Sequence, residues 1–183
     1  SGTVTVLETA RALARSHANK RSILVVFHAA EEKGLLGSEY LTSEETPKPF
    51  ELSQIVSQIN IDMVGRENGD SIYIIGAGRL SSELKIITED INQKLNLFKF
   101  NYAFDADNDP NRYDYRSDHY NYAKFGIPVV FFFDGMLTDY HKITDDYDKI
   151  NFRKIEKTAQ LVYTLASRIA NLDHRLKVDK KNH

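Results

Sequence analysis

No cysteine occurs among the 183 residues of this chain, which excludes a disulfide framework, a thiolate metal site and a cysteine nucleophile. Any bound metal must therefore be held by His, Asp or Glu. Neither sign of charge dominates: 24 Lys and Arg stand against 26 Asp and Glu, a net charge of −2, so no broad basic surface awaits a nucleic acid or an anionic membrane. Long apolar runs are missing as well. The longest, Ile127 to Phe133, contains Pro128 and falls far short of the roughly 20 residues of a membrane-spanning helix. The first residues, Ser1 to Glu8, carry neither a basic lead nor a long apolar stretch, so no signal peptide is expected in this segment. What is present, 42% apolar and 27% charged side chains, amounts to one domain able to close a core.

Helical and strand-like patterns alternate. Val4, Leu7, Ala10 and Ala14 fall at three- and four-residue steps, predicting a helix over Thr3–His17. Ser22–Ala30 is a nearly continuous β-branched and aromatic run, of the kind buried on both faces of a parallel sheet, and is read as the first strand. A short helix over Leu35–Leu41 follows, where Gly34 and Gly37 permit close backbone approach. Further strands are expected within Ser53–Met63 and over Ser71–Ile75, Leu97–Phe104 and Val129–Phe133, the last too apolar for an edge. Ser81 or Ser82 caps a helix to Leu95, Ser117 a short helix through Phe125, and Asn151 a final helix whose Ile155, Val162 and Ile169 face the core. Asp105–Ser117 and Asp134–Lys149 are long loops. The alternation predicts a three-layer α/β/α fold with a mainly parallel mixed sheet. Residues 177–183 form a charged tail, expected to be disordered.

Three features carry chemistry. Adjacent Glu31 and Glu32 follow the first predicted strand, and like charges at that spacing are relieved by a cation or a proton. They are equally readable as a first-turn helix residue beside a solvated one. Asp62 ends the next strand, and Tyr140-His141 lies in the loop after the fifth. Each of these alone is ordinary turn or surface chemistry. Together they fall beyond the same strand ends, where ligands gather in open α/β sheets. Glu, Asp and His are the oxygen and nitrogen donors of a catalytic zinc site, and an extra Glu beside a donor suits a general base. His28 reads as a satisfied core histidine. Asp118 reads as a capping residue or a group near substrate, with His119 beside it, and Asp145-Asp146 as turn residues or as partners orienting the His141 ring. Tyr113, Tyr115, Tyr120 and Tyr122 either line a pocket or cover core.

The strings His28-Ala29-Ala30-Glu31-Glu32-Lys33-Gly34-Leu35-Leu36-Gly37-Ser38, Asn60-Ile61-Asp62-Met63-Val64-Gly65, Arg116-Ser117-Asp118-His119, Gly126-Ile127-Pro128 and Tyr140-His141 resemble the co-catalytic di-zinc aminopeptidases of metallopeptidase family twenty-eight. The resemblance runs over essentially the whole chain. It implies Glu31 as general base, Glu32 and His141 as ligands of one zinc, Asp62 as a ligand of the other, and Tyr140 as hydroxyl donor to the oxyanion. The implied substrate is a peptide with a free N-terminus, and the implied compartment is periplasmic, secreted or surface-anchored.

The family pattern also needs a His and a bridging Asp upstream of the segment that matches Ser1-Gly2-Thr3. On that basis residues 1–176 are expected to be an incomplete catalytic domain that binds at most one zinc, weakly, and hydrolyses little. Two rivals share the resemblance: a non-catalytic binding domain of the same fold, and a single-zinc glutaminyl cyclase.

Overall fold

The computed structural model describes residues 1–16, 18–66 and 68–180. The elements in chain order are α1 (Gly2–Ser16), α2 (Leu36–Thr42), β1 (Gln58–Ile61), β2 (Ser71–Ile75), α3 (Ser82–Leu95), β3 (Lys99–Asn101), α4 (His119–Ala123), β4 (Val129–Phe133) and α5 (Phe152–Ala170). His17, the predicted last residue of the first helix, lies outside the described residues.

The sheet has the order β1-β4-β2-β3. β1 runs parallel to β4, with Gln58 opposite Val129 and Ile61 opposite Phe132, and β2 runs parallel to β3. β2 and β4 are antiparallel, Tyr73 facing Phe133, which makes the sheet mixed. β4 is interior and all five of its residues are buried, as a continuous apolar run should be when both faces are covered. Alternate side chains divide the core in two. Val130 and Phe132 join Ile72, Ile74 and Val64 against Leu84 of α3 and Leu161 and Leu165 of α5. Phe131 and Phe133 point the other way, with Ile75 and Tyr113, and Val129 packs with Tyr122 of α4 and Leu41 of α2. Helices on both faces of one sheet give the three-layer α/β/α architecture. No helix among the described residues is long and apolar enough to cross a membrane.

The caps explain where two helices begin. Ser81 Oγ accepts from the Leu84 N–H at 3.2 Å, and Asn151 Oδ1 from the Lys154 N–H at 3.0 Å. α4 is different. The Ser117 hydroxyl does not cap it, because that oxygen is engaged with Asn60 and Asp62, and α4 starts at His119 without a side-chain cap.

Other expectations are corrected. The predicted first strand, Ser22–Ala30, pairs with no neighbouring strand among the described residues. Leu24, Val25 and Phe27 stand exposed at 58%, 39% and 53%, since β-propensity yields a strand only where a neighbour completes the ladder and covers the apolar faces. Four of the five expected strands therefore form. The segment is still held at its ends: Arg21 donates to the carbonyls of Ile169, Leu172 and His174, and the Gly37 N–H donates to Ala29 O at 2.9 Å. Gly37 is needed there, because a Cβ on it would lie 2.3 Å from that oxygen. β3 is shorter than predicted, since the Asn92 side chain brackets Phe98 through its N–H and carbonyl.

The predicted tail is anchored over its first residues. The Lys177 N–H donates to Glu83 Oε2 at 3.0 Å, and Asp179 accepts from the Ser82 N–H at 2.9 Å and from the Ser82 hydroxyl. Leu176 beside it is buried. Composition alone missed this because the partners, Ser82 and Glu83, lie more than 90 residues away in sequence. Residues 181–183 lie outside the described residues.

Candidate active site

The parallel pairing of β1 and β4 places their carboxyl ends side by side. Asp62 leaves β1, and Met63 turns the chain at φ 56°. The Asp134 N–H, just past β4, donates to Met63 O at 2.8 Å, so the two exits are stitched together. Glu31 and Glu32 open a single 3-10 turn entered by Ala30 in the left-handed region, φ 57°, and closed by Gly34 at φ 98°. Tyr140 and His141 come from the loop after β4, their rings stacked at 3.8 Å. His141 itself has φ 56°, a conformation His tolerates better than most residues.

All five predicted site residues line one cleft of about 220 Å³, together with Met63, Tyr113, Arg116, Phe131, Phe133, Met136 and Asp145. A second cavity of about 470 Å³ shares the wall of Tyr113 and Met136 and is lined further by Tyr73, Phe104 and Leu137. Three separate chain segments converge on this cleft.

Within the cleft, His141 Nε2 lies 2.9 Å from Glu32 Oε1. Asp62 is held from behind: the Ser117 hydroxyl donates to its Oδ2 at 3.0 Å, Asn60 Nδ2 donates to Ser117 Oγ at 2.9 Å, and Gln58 Nε2 donates to Asn60 Oδ1 at 3.1 Å. Burial pushes the Asp62 carboxyl above the usual aspartate range, the Ser117 bond works against that, and Asp118 and Glu32 add to it. Glu31 is raised to about 7, first by burial and then by the negative charges of Asp62, Glu32 and Asp118, with His141 offsetting part. The Tyr140 phenol is raised by burial and by Glu32 and Glu31. Carboxyls held above their ordinary range in a cleft are poised to exchange protons.

The donor chemistry fits a zinc ion in part. One carboxylate oxygen and one imidazole nitrogen in contact are a zinc donor pair, and the crowded carboxyls nearby mark a place where a cation relieves repulsion. No group of three His, Asp or Glu side chains able to hold a metal forms among the described residues. Asp62 shares the cleft without joining the Glu32–His141 pair.

The profile of Peptidase family M28 matches residues 1–166. The chain belongs to that family. It is 30% identical over 186 residues to leucine aminopeptidase 1 of Ajellomyces dermatitidis, a match covering 94% of this chain and 46% of that protein, so it spans about half the length of that relative. Among solved structures it is similar to BSAP, a zinc aminopeptidase from Bacillus subtilis, with TM-score 0.73 and 21% identity over 96% of this chain and 42% of the other. It is similar as well to Bacteroides thetaiotaomicron glutaminyl cyclase bound to N-acetylhistamine, with TM-score 0.64 and 18% identity over 92% of this chain and 60% of the other.

The structure resolves several residues around the cleft that the sequence left open. His28 is half-buried with Nε2 3.1 Å from the Tyr122 hydroxyl, and burial lowers its pKa. His119 is buried and stacked on Phe131 at 4.6 Å. Burial pushes its pKa down to about 3, so it is neutral. Asp118 forms no cap and keeps one oxygen without a hydrogen-bond partner among the described residues. Tyr113 lines the cleft, Tyr122 is core, and Tyr115 and Tyr120 pack on each other at 4.9 Å. Sequence reasoning missed Arg66, whose guanidinium grips Asp139 and Asp145. Its only sequence signal was a cation four residues past Asp62 at a polar strand end.

Proposed function

We propose that the chain is the site-bearing part of a zinc-dependent aminopeptidase that removes N-terminal amino acids from peptides. Glu32 and His141 would hold one zinc and Asp62 would contribute to a second. Zinc, when bound, supplies Lewis acidity and lowers the pKa of water. The observation that carries the reading is Glu31, with a pKa raised to about 7 and lining the same cleft as Tyr140 and the Glu32–His141 pair.

A carboxylate with that pKa is half-ionised near neutral pH, so Glu31 accepts a proton from the attacking water and returns it to the leaving amine without a large driving-force penalty. The Tyr140 hydroxyl, kept protonated by its raised pKa, donates to the substrate carbonyl oxygen as negative charge develops there. The carboxylates gathered in the cleft, Glu31 among them, make it a place for a free α-amino group, which favours the first residue of a peptide over an internal one. The adjoining cavity walled by Tyr73, Phe104, Tyr113 and Met136 offers an apolar seat for a side chain.

The test is release of amine from an aminoacyl p-nitroanilide by the full-length protein, lost on Glu31→Gln. Cyclisation of an N-terminal glutamine without release would place the protein with the cyclases. No turnover of either substrate would leave a binding domain of the same fold.

A further inference from the structure

Arg66 lies just beyond β1, four residues after Asp62, with only 9% of its side chain exposed. Its guanidinium reaches into the other half of the site. One terminal nitrogen donates to Asp139 Oδ2 at 2.7 Å and the other to Asp145 Oδ1 at 2.5 Å. Those two carboxylates bracket Tyr140 and His141, two residues before the histidine and four after it. A planar guanidinium with five donors is suited to span two carboxylates at fixed geometry, and a lysine ammonium is not.

The rest of Arg66 is fixed to the framework. Its backbone N–H donates to Asp134 Oδ2 at 2.7 Å, and its carbonyl accepts from Lys154 Nζ of α5 at 3.1 Å. Lys154 also pairs with Asp134. On the loop side, Asp139 takes the Thr144 hydroxyl at 2.6 Å and Lys149 Nζ at 3.0 Å. The chain from α5 through Arg66 to Asp139 and Asp145 is continuous, and every link but the last is buried or nearly so. His141 needs such support, because it holds a left-handed backbone, φ 56°, on a loop with exposed Ile143 and Tyr147.

We infer that Arg66 is the positioning residue of this site: its guanidinium clamps the Tyr140-His141 loop to the Asp62 turn and so sets His141 against Glu32. The inference rests on the reading of Tyr140 and His141 as site residues, but the clamp itself is testable without turnover.

The experiment is hydrogen exchange on the metal-free 183-residue chain, comparing wild type with Arg66→Lys and Asp145→Asn and reading the loop amides against those of α5. The expected result is a rise of about tenfold or more at the Lys142 and Asp145 amides, with α5 unchanged. Asp145→Asn removes the charge that pairs with Arg66 at a half-exposed carboxylate and keeps the test usable if Arg66→Lys folds poorly. Zinc affinity by chelator competition is expected to fall roughly tenfold to a hundredfold in Arg66→Lys, as when a group supporting a ligand is lost. Unchanged loop exchange, or a rise shared equally by α5, would overturn the clamp. A loosened loop in the 183-residue chain, beside a full-length wild type that neither binds zinc nor hydrolyses peptides, would uphold the clamp and remove the aminopeptidase reading.

Discussion

Ser117 donates its hydroxyl proton to Asp62 Oδ2 at 3.0 Å while accepting from Asn60 Nδ2 at 2.9 Å. This buried serine is a link between β1 and the start of α4, and it makes Asp62 a better carboxylate. Ser117→Ala should remove the larger of the two contributions that lower the Asp62 pKa, the other being the N-terminal ammonium, so Asp62 titrates at higher pH than in wild type. The same change leaves the Asn60 amide without its acceptor and should cost about 1–3 kcal/mol. Carboxyl titration by NMR and urea denaturation check the two effects; an unmoved Asp62 titration would sink the first.

Glu31→Gln separates chemistry from stability. Loss of the proton acceptor should lower kcat by about a hundredfold to ten-thousandfold with KM little changed. In the metal-free protein the same variant should be more stable at pH 8. Glu31 has its folded pKa raised from 4.5 to about 7, so the unfolded chain releases that proton first and stability falls as pH rises through this window. Glutamine removes the penalty. The Tm difference between variant and wild type should be small at pH 4 and grow toward pH 8, and a constant difference would count against the raised pKa.

Zinc titration by calorimetry of the 183-residue chain should show at most one weak site. His141→Ala and Glu32→Ala should each abolish it, since each removes half of the donor pair in contact within the cleft. Two tight sites on this chain would refute the division of ligands.

Glu83 holds the last described turn. The Lys177 N–H and then His174 keep its carboxyl below the ordinary range, so its contribution is present above the unfolded glutamate pKa and is lost as pH falls through the folded value. Glu83→Gln should behave at neutral pH as wild type does in acid, with faster tryptic cleavage after Arg175 and Lys177. Equal cleavage rates would show that Leu176 and Asp179 suffice.

Much of the site was legible in the sequence because its groups are local to strand ends. Glu31-Glu32 before Gly34, Asp62 after Ile61 and Tyr140-His141 after the β4 run each announce themselves within a few residues, and the fold class follows from alternation. The helix starts at Ser81 and Asn151 were readable for the same reason, since a cap reaches only three residues.

What tertiary structure decided depends on partners far apart in the chain. Ser22–Ala30 has strand composition, but a ladder needs a second backbone, and no composition supplies one. Ser117 satisfies the pattern of a cap, but its oxygen accepts from the Asn60 amide and its hydroxyl donates to the Asp62 carboxylate instead. Residues 177–180 read as a solvated tail until Ser82 and Glu83 are brought beneath them. Arg66 carried little signal, because a guanidinium gains its meaning from the two carboxylates it spans, and those are more than 70 residues away. The sequence alone determined which groups can do the chemistry. Long-range packing determined which of them meet, because hydrogen bonds and ion pairs form between whatever the folded chain brings within about 3 Å.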